Sequence, residues 1–207
     1  MKKVLIFIMA TMFTLSMNAQ DIIPLLPPQT TGGMSLMEAF ANRKTNRDFS
    51  QDELTPQQFS NLLWAANGVN RPDGRRTAPT ARNAQQIDIY ILNKEGAYLY
   101  MPKEHALQLI TKGDHRTSGA SQERFQECPL MLIFVANYDK MEGFSEESRV
   151  LFGATDTGNI SQNVYLYCAS EGLATCALGS IHRDKLKELL KFNGAAILGQ
   201  SVGIAKY

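Results

Sequence analysis

The sequence is poor in cysteine and almost balanced in charge. Three cysteines in 207 residues are too few for a disulfide-rich scaffold or a four-thiolate zinc site. The 21 basic and 20 acidic residues give a formal net charge of +1, which carries no electrostatic signature of nucleic-acid binding. With 44% hydrophobic and 20% charged residues, the composition excludes a disordered chain and fits one domain or two small ones.

The histidines are also few and scattered. His105, His115 and His182 have neither metal-ligand spacing nor the order of a serine–histidine–aspartate triad. We therefore expect no metal site. The three thiols leave room for one disulfide, and the sequence does not indicate which pair would form it.

Long apolar runs are absent except at the N-terminus. There, Lys2 and Lys3 precede an apolar run over 4–15, and small and polar residues follow up to Ala19. This pattern predicts a secretory signal peptide over 1–19 that is cleaved after Ala19. We expect an exported protein, periplasmic or extracellular, with no stable membrane insertion after cleavage. The alternative interpretation is an uncleaved anchor, for which the run is short.

The mature chain begins with a segment rich in proline and glycine. Three prolines and two glycines within 20–34 predict an extended arm rather than a helix. Two interpretations remain open for the arm, which either lies across a neighbouring subunit or stays mobile. The remainder, 35–207, forms the predicted domain.

Hydrophobic periodicity in this domain alternates between helical and strand-like. Helices are predicted over 35–43, from Thr55 to Gly68, and over 102–112, 149–171 and 183–191. Strands are predicted over 87–92, 97–101, 130–136, 174–178 and 195–205, and polar loops over 70–86 and 113–122. The fold class is therefore α+β, with a central mixed, mainly antiparallel sheet flanked by helices.

One stretch after the first helix is suited to an anionic ligand. Arg43, Lys44 and Arg47 supply three cations within five residues, and Thr45 supplies a hydroxyl. Such a set can hold a phosphate. Equally, cations at this position can simply complement the dipole of the preceding helix.

Two further stretches could line a ligand. Small residues around Pro79 would let a flat ring approach, with Thr80, Asn83 and Gln85 available for hydrogen bonds. The alternative is an exposed loop without function. At the end of a predicted strand, Leu178 and Gly179 would bring backbone N–H groups close to a ligand, or form a plain connection.

Four motifs in register resemble the nitroreductase-like family of FMN-dependent oxidoreductases. The motifs are R-K-T-N-R-D-F from Arg43, P-T-A-R-N-A-Q from Pro79, D-T-G-N-I-S-Q-N-V-Y-L from Asp156 and E-G-L-A-T-C from Glu171. The resemblance covers about residues 35–205. Each motif alone is weak, whereas the four in order are specific for the family and not for a substrate.

The resemblance implies a homodimer with two FMN sites at the subunit interface. The phosphate and ribityl chain would be held by Arg43, Lys44, Thr45 and Arg47. In the same picture the other subunit would supply the loop with Pro79, Thr80, Asn83 and Gln85, and Leu178 and Gly179 would place N–H groups at the reactive ring nitrogen. The long helix over 149–171 would form the dimer core, where Ala154 and Gly158 allow close approach.

The C-terminus departs from the family pattern. The family usually has a further Lys or Arg near its C-terminus that touches the phosphate, and here Lys206 alone could fill that role. Arg124 is another available cation, although no motif includes it. Lys44 and Thr45 replace the common Arg and Ser, and both changes are mild.

Together with the predicted signal peptide, the resemblance implies an exported FMN-dependent oxidoreductase of the nitroreductase type. It would transfer hydride in a ping-pong cycle from a donor, with NADH or NADPH as candidates, to a nitroaromatic, a quinone or a similar flat small-molecule acceptor. Because the flavin performs the chemistry, no catalytic side chain is expected. The alternatives are a flavin-binding protein without turnover and an azoline dehydrogenase-like enzyme that acts on modified peptides.

Overall fold

Seven strands form a single sheet at the centre of the protein. The computed structural model describes residues 22–126 and 128–206. The strands lie in the order β1-β4-β3-β2-β5-β7-β6. Their bounds are β1 Ile22–Pro24, β2 Ile87–Leu92, β3 Gly96–Met101, β4 Ala106–Lys112, β5 Leu130–Asn137, β6 Leu173–Leu178 and β7 Gly194–Ile204.

Five α-helices cover this sheet. They are α1 Leu36–Asn42, α2 Pro56–Asn67, α3 Arg116–Gly119, α4 Glu146–Glu171 and α5 Arg183–Leu190. Capping boxes at Ser35 and Thr55 start α1 and α2, as their hydroxyls accept the first orphan N–H groups. The long helix α4 ends at Gly172, whose φ of 68° is the left-handed conformation that glycine adopts without strain.

The α+β class and the mainly antiparallel sheet are confirmed. Every pairing between the described strands is antiparallel, so the expected mixture contains no parallel pair among them. The strand predicted over 130–136 is β5, and it is buried on both faces. Its alternate residues face opposite sides of the sheet, with Leu132 and Phe134 in one core cluster and Met131 and Ile133 in the other.

The helix predicted over 102–112 is wrong. Residues 106–112 form β4, which pairs with β3 on one side and with β1 on the other. Leu107 and Leu109 pack into one core cluster while Ile110 packs against the other, which is the period-two alternation of a strand. Side-chain composition alone permitted a helix, and the long-range pairing decided the outcome.

The sheet separates two hydrophobic layers. On one face, α2 and α4 cover the first cluster with side chains that include Leu62, Leu63, Ile160 and Val164. On the other face, α5 covers the second cluster with Leu186 and Leu190. The site described below lies where α4 and the ends of β6 and β7 meet the segment that follows α1.

The N-terminal arm lies along its own chain, an arrangement that neither expectation for it included. Its strand β1 extends the sheet at β4. Further on, the Leu25 N–H donates to the His105 carbonyl (3.1 Å) and the Met34 N–H donates to Ser170 Oγ (2.8 Å). The arm therefore covers one sheet edge and reaches the C-terminal end of α4.

The predicted signal peptide over 1–19 lies outside the described residues. Within the described ranges, no helix combines the length and apolar character needed to cross a bilayer. The thiols of Cys128, Cys168 and Cys176 are all free and buried.

Candidate functional site

The cation-rich segment that follows α1 is extended and attached to the sheet by its backbone. The Asn46 N–H donates to the Thr175 carbonyl in β6 (3.0 Å). Phe49 forms an antiparallel bridge with Ala205, and the Lys206 N–H donates to the Asp48 carbonyl (3.0 Å). These contacts fix residues 46–49 beside the C-terminal end of the chain, so cations far apart in sequence lie close together.

Two of the predicted phosphate ligands rest on one tyrosine of α4. The Arg43 guanidinium carbon lies 5.4 Å from the centroid of the Tyr165 ring, a cation–π contact. Thr45 Oγ1 lies 3.1 Å from the Tyr165 hydroxyl, which also accepts the Ala177 N–H at 2.9 Å. The structure therefore brings Arg43 and Thr45 to the strand that leads into Leu178 and Gly179.

Arg47 lies beside two cations from other parts of the chain. Arg47, Arg124 and Lys206 line one cavity of about 590 Å³, together with Asp48 and Cys128. None of the three cations belongs to an ion pair within the part of the chain that the structure describes. Three positive charges thus surround one cavity with a single carboxylate residue among its lining, which favours an anionic occupant.

Lys44 is set apart from this group. It lines a different cavity of about 500 Å³, with Asn46 and Ser170, and only Lys206 lines both cavities. The predicted four-residue phosphate site is therefore divided, with Lys44 and Arg47 lining different cavities.

Arg124 completes the cation group, although no motif contains it. It lies in a short 3₁₀ turn, Glu123–Phe125, which precedes β5. The only sequence signal was a lone cation in a polar stretch, and that signal is common on solvated surfaces. Its position beside Arg47 depends on contacts distant in sequence.

Cys176 lies beneath the two arginines. Burial raises the pKa of its thiol, while the charges of Arg47 and Arg124 act in the opposite direction. The net shift is upward, so the thiol stays protonated at neutral pH. Cys176 therefore serves as a packing group in the second core cluster rather than as a nucleophile.

The loop that contains Pro79, Thr80, Asn83 and Gln85 is held by internal hydrogen bonds. Thr80 Oγ1 accepts the Gln85 N–H (3.0 Å), and Gln85 Nε2 donates to the Gly74 carbonyl (2.9 Å). Its backbone is strained, because Arg82, Asn83 and Gln85 all have φ values between 52° and 54°. Such a conformation persists only where surrounding contacts maintain it.

A buried carboxylate maintains this loop. Asp156 Oδ2 accepts the Ala81 N–H (3.0 Å) and Gln86 Nε2 (2.6 Å). Asp156 and Tyr165 are nine residues apart on α4, which is roughly 13 Å along the helix axis. Within the described ranges, no hydrogen bond or ion pair links the loop to the cation-rich segment, so one chain keeps the two predicted halves of the site apart.

The turn after β6 is open. Gly179 is exposed, and nothing lies within 4 Å of the position that a Cβ atom would take. Arg183 of α5 supports the turn by donating to the Gly179 carbonyl (3.2 Å), and Ser121 donates its N–H to the Ser180 carbonyl (3.0 Å). Leu178 is buried beneath it. A flat ligand can therefore approach this backbone closely.

The comparison with protein families decides the classification. The model described as the nitroreductase family matches residues 40–204. The chain belongs to the nitroreductase family. The match spans the cation-rich segment, the Asp156 loop and the turn at Gly179, so all the described site features except Lys206 lie within it.

Individual relatives agree with this classification. A structure from Ralstonia eutropha, provisionally named a nitroreductase, is 39% identical, covers 90% of both chains and has a TM-score of 0.85. A Methanocaldococcus jannaschii protein, also provisionally named a nitroreductase, is 28% identical over 180 residues, which are 82% of this chain and 91% of that protein.

A more distant structure shares the fold alone. A Staphylococcus epidermidis protein, provisionally named an NAD(P)H:FMN oxidoreductase, is 12% identical, with a TM-score of 0.64 and coverage of 87% of this chain and 92% of that chain. The fold of this chain is therefore shared with a protein of low sequence identity.

Proposed function

We propose that this nitroreductase-family oxidoreductase binds FMN and transfers hydride through it to flat electrophiles. One observation supports this proposal above the others. Arg47, Arg124 and Lys206 converge on one cavity, next to a segment in which Arg43 and Thr45 rest on Tyr165. Cations and a hydroxyl donor in this arrangement suit the phosphate and ribityl chain of FMN.

The residues present fit the cofactor at both ends. A phosphate monoester carries close to two negative charges at neutral pH, and the cavity supplies cations that have no carboxylate partner among the described residues. At the other end, the open backbone at Gly179 leaves room for a flat ring. Lys44 lines only the neighbouring cavity, which has Lys206 in common with the cavity of Arg47.

FMN would supply the hydride chemistry, and the chain would supply binding and orientation. Arg43, Thr45, Arg47 and Lys206 would fix the anionic tail. Leu178 and Gly179 would orient the ring through their backbone. Fixed positive charge in a partly enclosed cavity favours any negative charge that develops nearby. No titrating side chain is required as a catalyst.

We further propose a homodimer, because one chain holds only half of the predicted site. The surface around α1 and α4 is apolar and exposed, and Met37, Val150 and Leu151 are 75%, 61% and 60% exposed. Ala154 and Gly158 lie on the exposed side of α4, and nothing lies within 4 Å of a Cβ built on Gly158. A second copy packed here would bury this surface and bring its Pro79–Gln85 loop to the flavin.

Export and substrate classes belong to the same proposal. The N-terminal pattern supports secretion, and the candidate acceptors are nitroaromatics and quinones. NADH and NADPH are the candidate donors. Both are scarce outside the cytoplasm, so an exported enzyme would use another reductant there.

The test is an anaerobic titration of the purified, FMN-reconstituted protein. We expect a yellow protein whose flavin bands bleach on addition of NADH, NADPH or a chemical reductant and return when a nitro compound is added. A matched pair of variants, Arg47→Ala and Lys103→Ala, would locate the site, because Lys103 is an exposed cation in the turn before β4.

Each outcome has a defined consequence. A protein that stays colourless with excess FMN would overturn the proposal. Bound flavin that no donor reduces would favour the flavin-binding alternative without turnover. Equal FMN affinity in the two variants would remove Arg47 from the site.

A further inference from the structure

Tyr165 joins the two candidate flavin-binding segments of one chain. It projects from α4, and its hydroxyl lies 2.9 Å from the Ala177 nitrogen in β6 and 3.1 Å from Thr45 Oγ1. Its ring also carries the Arg43 guanidinium. One side chain of α4 therefore contacts both the segment after α1 and the strand β6 that leads to Gly179.

The hydrogen bonds of this phenol have a direction. A backbone N–H can only donate, so the Tyr165 oxygen accepts from Ala177. Either hydroxyl can donate across the 3.1 Å contact between Tyr165 and Thr45 Oγ1, and we assign the phenol as the donor because its oxygen already accepts from Ala177. The Thr45 hydroxyl proton in turn remains available for a further acceptor. The chain therefore runs from the Ala177 N–H through Tyr165 to Thr45 and ends on a donor.

A donor in that position suits an anionic oxygen. Thr45 is exposed, and Arg43 on the same tyrosine adds a positive charge. A ligand oxygen that receives the Thr45 proton would gain a charge-assisted hydrogen bond next to a guanidinium. Phosphate oxygens meet both requirements, whereas the hydroxyls of riboflavin meet only the first.

We propose that Tyr165 is a positioning residue that directs the Thr45 hydroxyl and the Arg43 guanidinium toward the phosphate of FMN. This inference rests on the proposed function, since it names how that site discriminates a phosphorylated flavin from a neutral one. Tyr165 lies outside the positions that the motif comparison assigned to the cofactor. Its role follows from its three contacts.

The experiment compares FMN with riboflavin in equilibrium titrations of the flavin-free protein, monitored by flavin fluorescence. Tyr165→Phe removes the hydroxyl and keeps the ring. We expect FMN binding to weaken about fivefold, the size of one lost hydrogen bond, and riboflavin binding to change by less than about twofold. Thr45→Val should have the same effect, because it removes the last donor of the chain.

The double variant tests whether the two residues act together. If Tyr165 acts through Thr45, Tyr165→Phe combined with Thr45→Val should weaken FMN binding no more than about fivefold, since residues of one hydrogen-bond chain are not additive. Thr45→Ser keeps the hydroxyl and should retain the wild-type preference for FMN. Because Thr45 is exposed, its variants keep the test valid even if Tyr165→Phe folds poorly.

Tyr167→Phe is the matched control. Tyr167 lies two residues later in α4, and its hydroxyl donates to the Gln58 carbonyl of α2 (3.0 Å), away from the site. Removal of the Tyr167 hydroxyl should leave the ratio of FMN to riboflavin affinity unchanged. A wild-type ratio in Tyr165→Phe, or full additivity with Thr45→Val, would overturn this inference while leaving FMN binding intact. Failure of the wild-type protein to bind FMN would instead overturn the proposed function and the inference with it.

Discussion

The cation-rich segment 43–49 and the loop 79–85 were both predicted as flavin-binding, yet the structure builds them in opposite ways. The first is held by its backbone, through bonds to β6 and the C-terminus, and its cationic side chains stay available. The second holds its own polar side chains in internal hydrogen bonds and is tied to α4 by Asp156.

Under the proposed function, this difference would divide FMN binding between the two regions. Charged side chains that a scaffold leaves unpaired can bind an anion directly. A loop whose side chains are already satisfied contributes its shape and backbone instead, and here that shape includes three left-handed residues. In the proposed complex, segment 43–49 would bind the ligand through its cations, and loop 79–85 would form a preformed surface that a partner subunit presents to the ligand.

The largest expected effect is on folding stability and concerns Asp156, which holds loop 79–85. Asp156→Ala removes the acceptor of two buried or partly buried donors, so we expect the free energy of unfolding to fall by about 3 kcal/mol. Chemical denaturation measures this loss. Asp156→Asn keeps one acceptor oxygen and should lose less. Equal stability of Asp156→Ala and wild type would show that Asp156 does not hold the loop.

The next effect is on FMN affinity and concerns segment 43–49. Arg43→Ala removes a guanidinium expected at the phosphate, and FMN affinity should fall roughly 30-fold, as for one charge-assisted hydrogen bond. Stability should change little, because Arg43 makes its described contact on a half-exposed tyrosine. Flavin titration and thermal unfolding measure the two quantities. A large stability loss with unchanged affinity would reverse the roles assigned to the two regions.

Two lysines in or near segment 43–49, Lys44 and Lys206, allow a more specific comparison. Lys206 lines the cavity with Arg47 and Arg124, whereas Lys44 lines only the neighbouring cavity. We expect Lys206→Ala to weaken FMN binding about tenfold and Lys44→Ala to weaken it less than about threefold. Titrations of both variants at one salt concentration decide this. The opposite order would place the phosphate in the cavity that Lys44 lines.

The strained backbone of loop 79–85 predicts a smaller effect on stability. Arg82 has a φ of 54°, where a Cβ atom costs about 1 kcal/mol. Arg82→Gly should therefore be about 1 kcal/mol more stable than Arg82→Ala, although glycine usually destabilises a folded chain. Both variants lose the same contact with Phe144, so their difference isolates the backbone. Urea unfolding at equilibrium measures it, and a more stable alanine variant would contradict the left-handed conformation.

The smallest effect lies outside both regions and serves as a reference. His105 contacts Ser60, Tyr100 and the Leu26 carbonyl of the arm. Burial lowers the pKa of His105 below its ordinary value of 6.5, so the folded state favours the neutral ring. The stability it contributes is present above pH 6.5 and is lost as the pH falls from there.

We expect this acid loss to be small and to be smaller still in His105→Asn, since Asn also tolerates the φ of 47° at this position. Unfolding curves at pH 7.5 and at lower pH measure it. An identical acid loss in the variant would assign it to other groups.

The sequence alone predicted those features that depend on local signals. The capping box at Thr55 and the unbroken apolar run of β5 were visible because each is set by residues close in the chain. The cations of segment 43–49 were visible for the same reason. The Gly179 turn was found because glycine ends the predicted strand.

The remaining features depend on contacts between distant residues. β4 became a strand through pairing with β3 and β1, and no local signal specifies that pairing. Arg124 reached Arg47 because its 3₁₀ turn packs beside the C-terminus. Lys44 and Arg47 line different cavities, and that separation likewise depends on how the segment packs against distant parts of the chain.

The most direct test of the account is sedimentation of the FMN-reconstituted protein, monitored at the protein and flavin absorption bands together. The account predicts one species of two chains that carries two flavins. Flavin that sediments with a single chain, or a two-chain species without flavin in the presence of excess FMN, would contradict it.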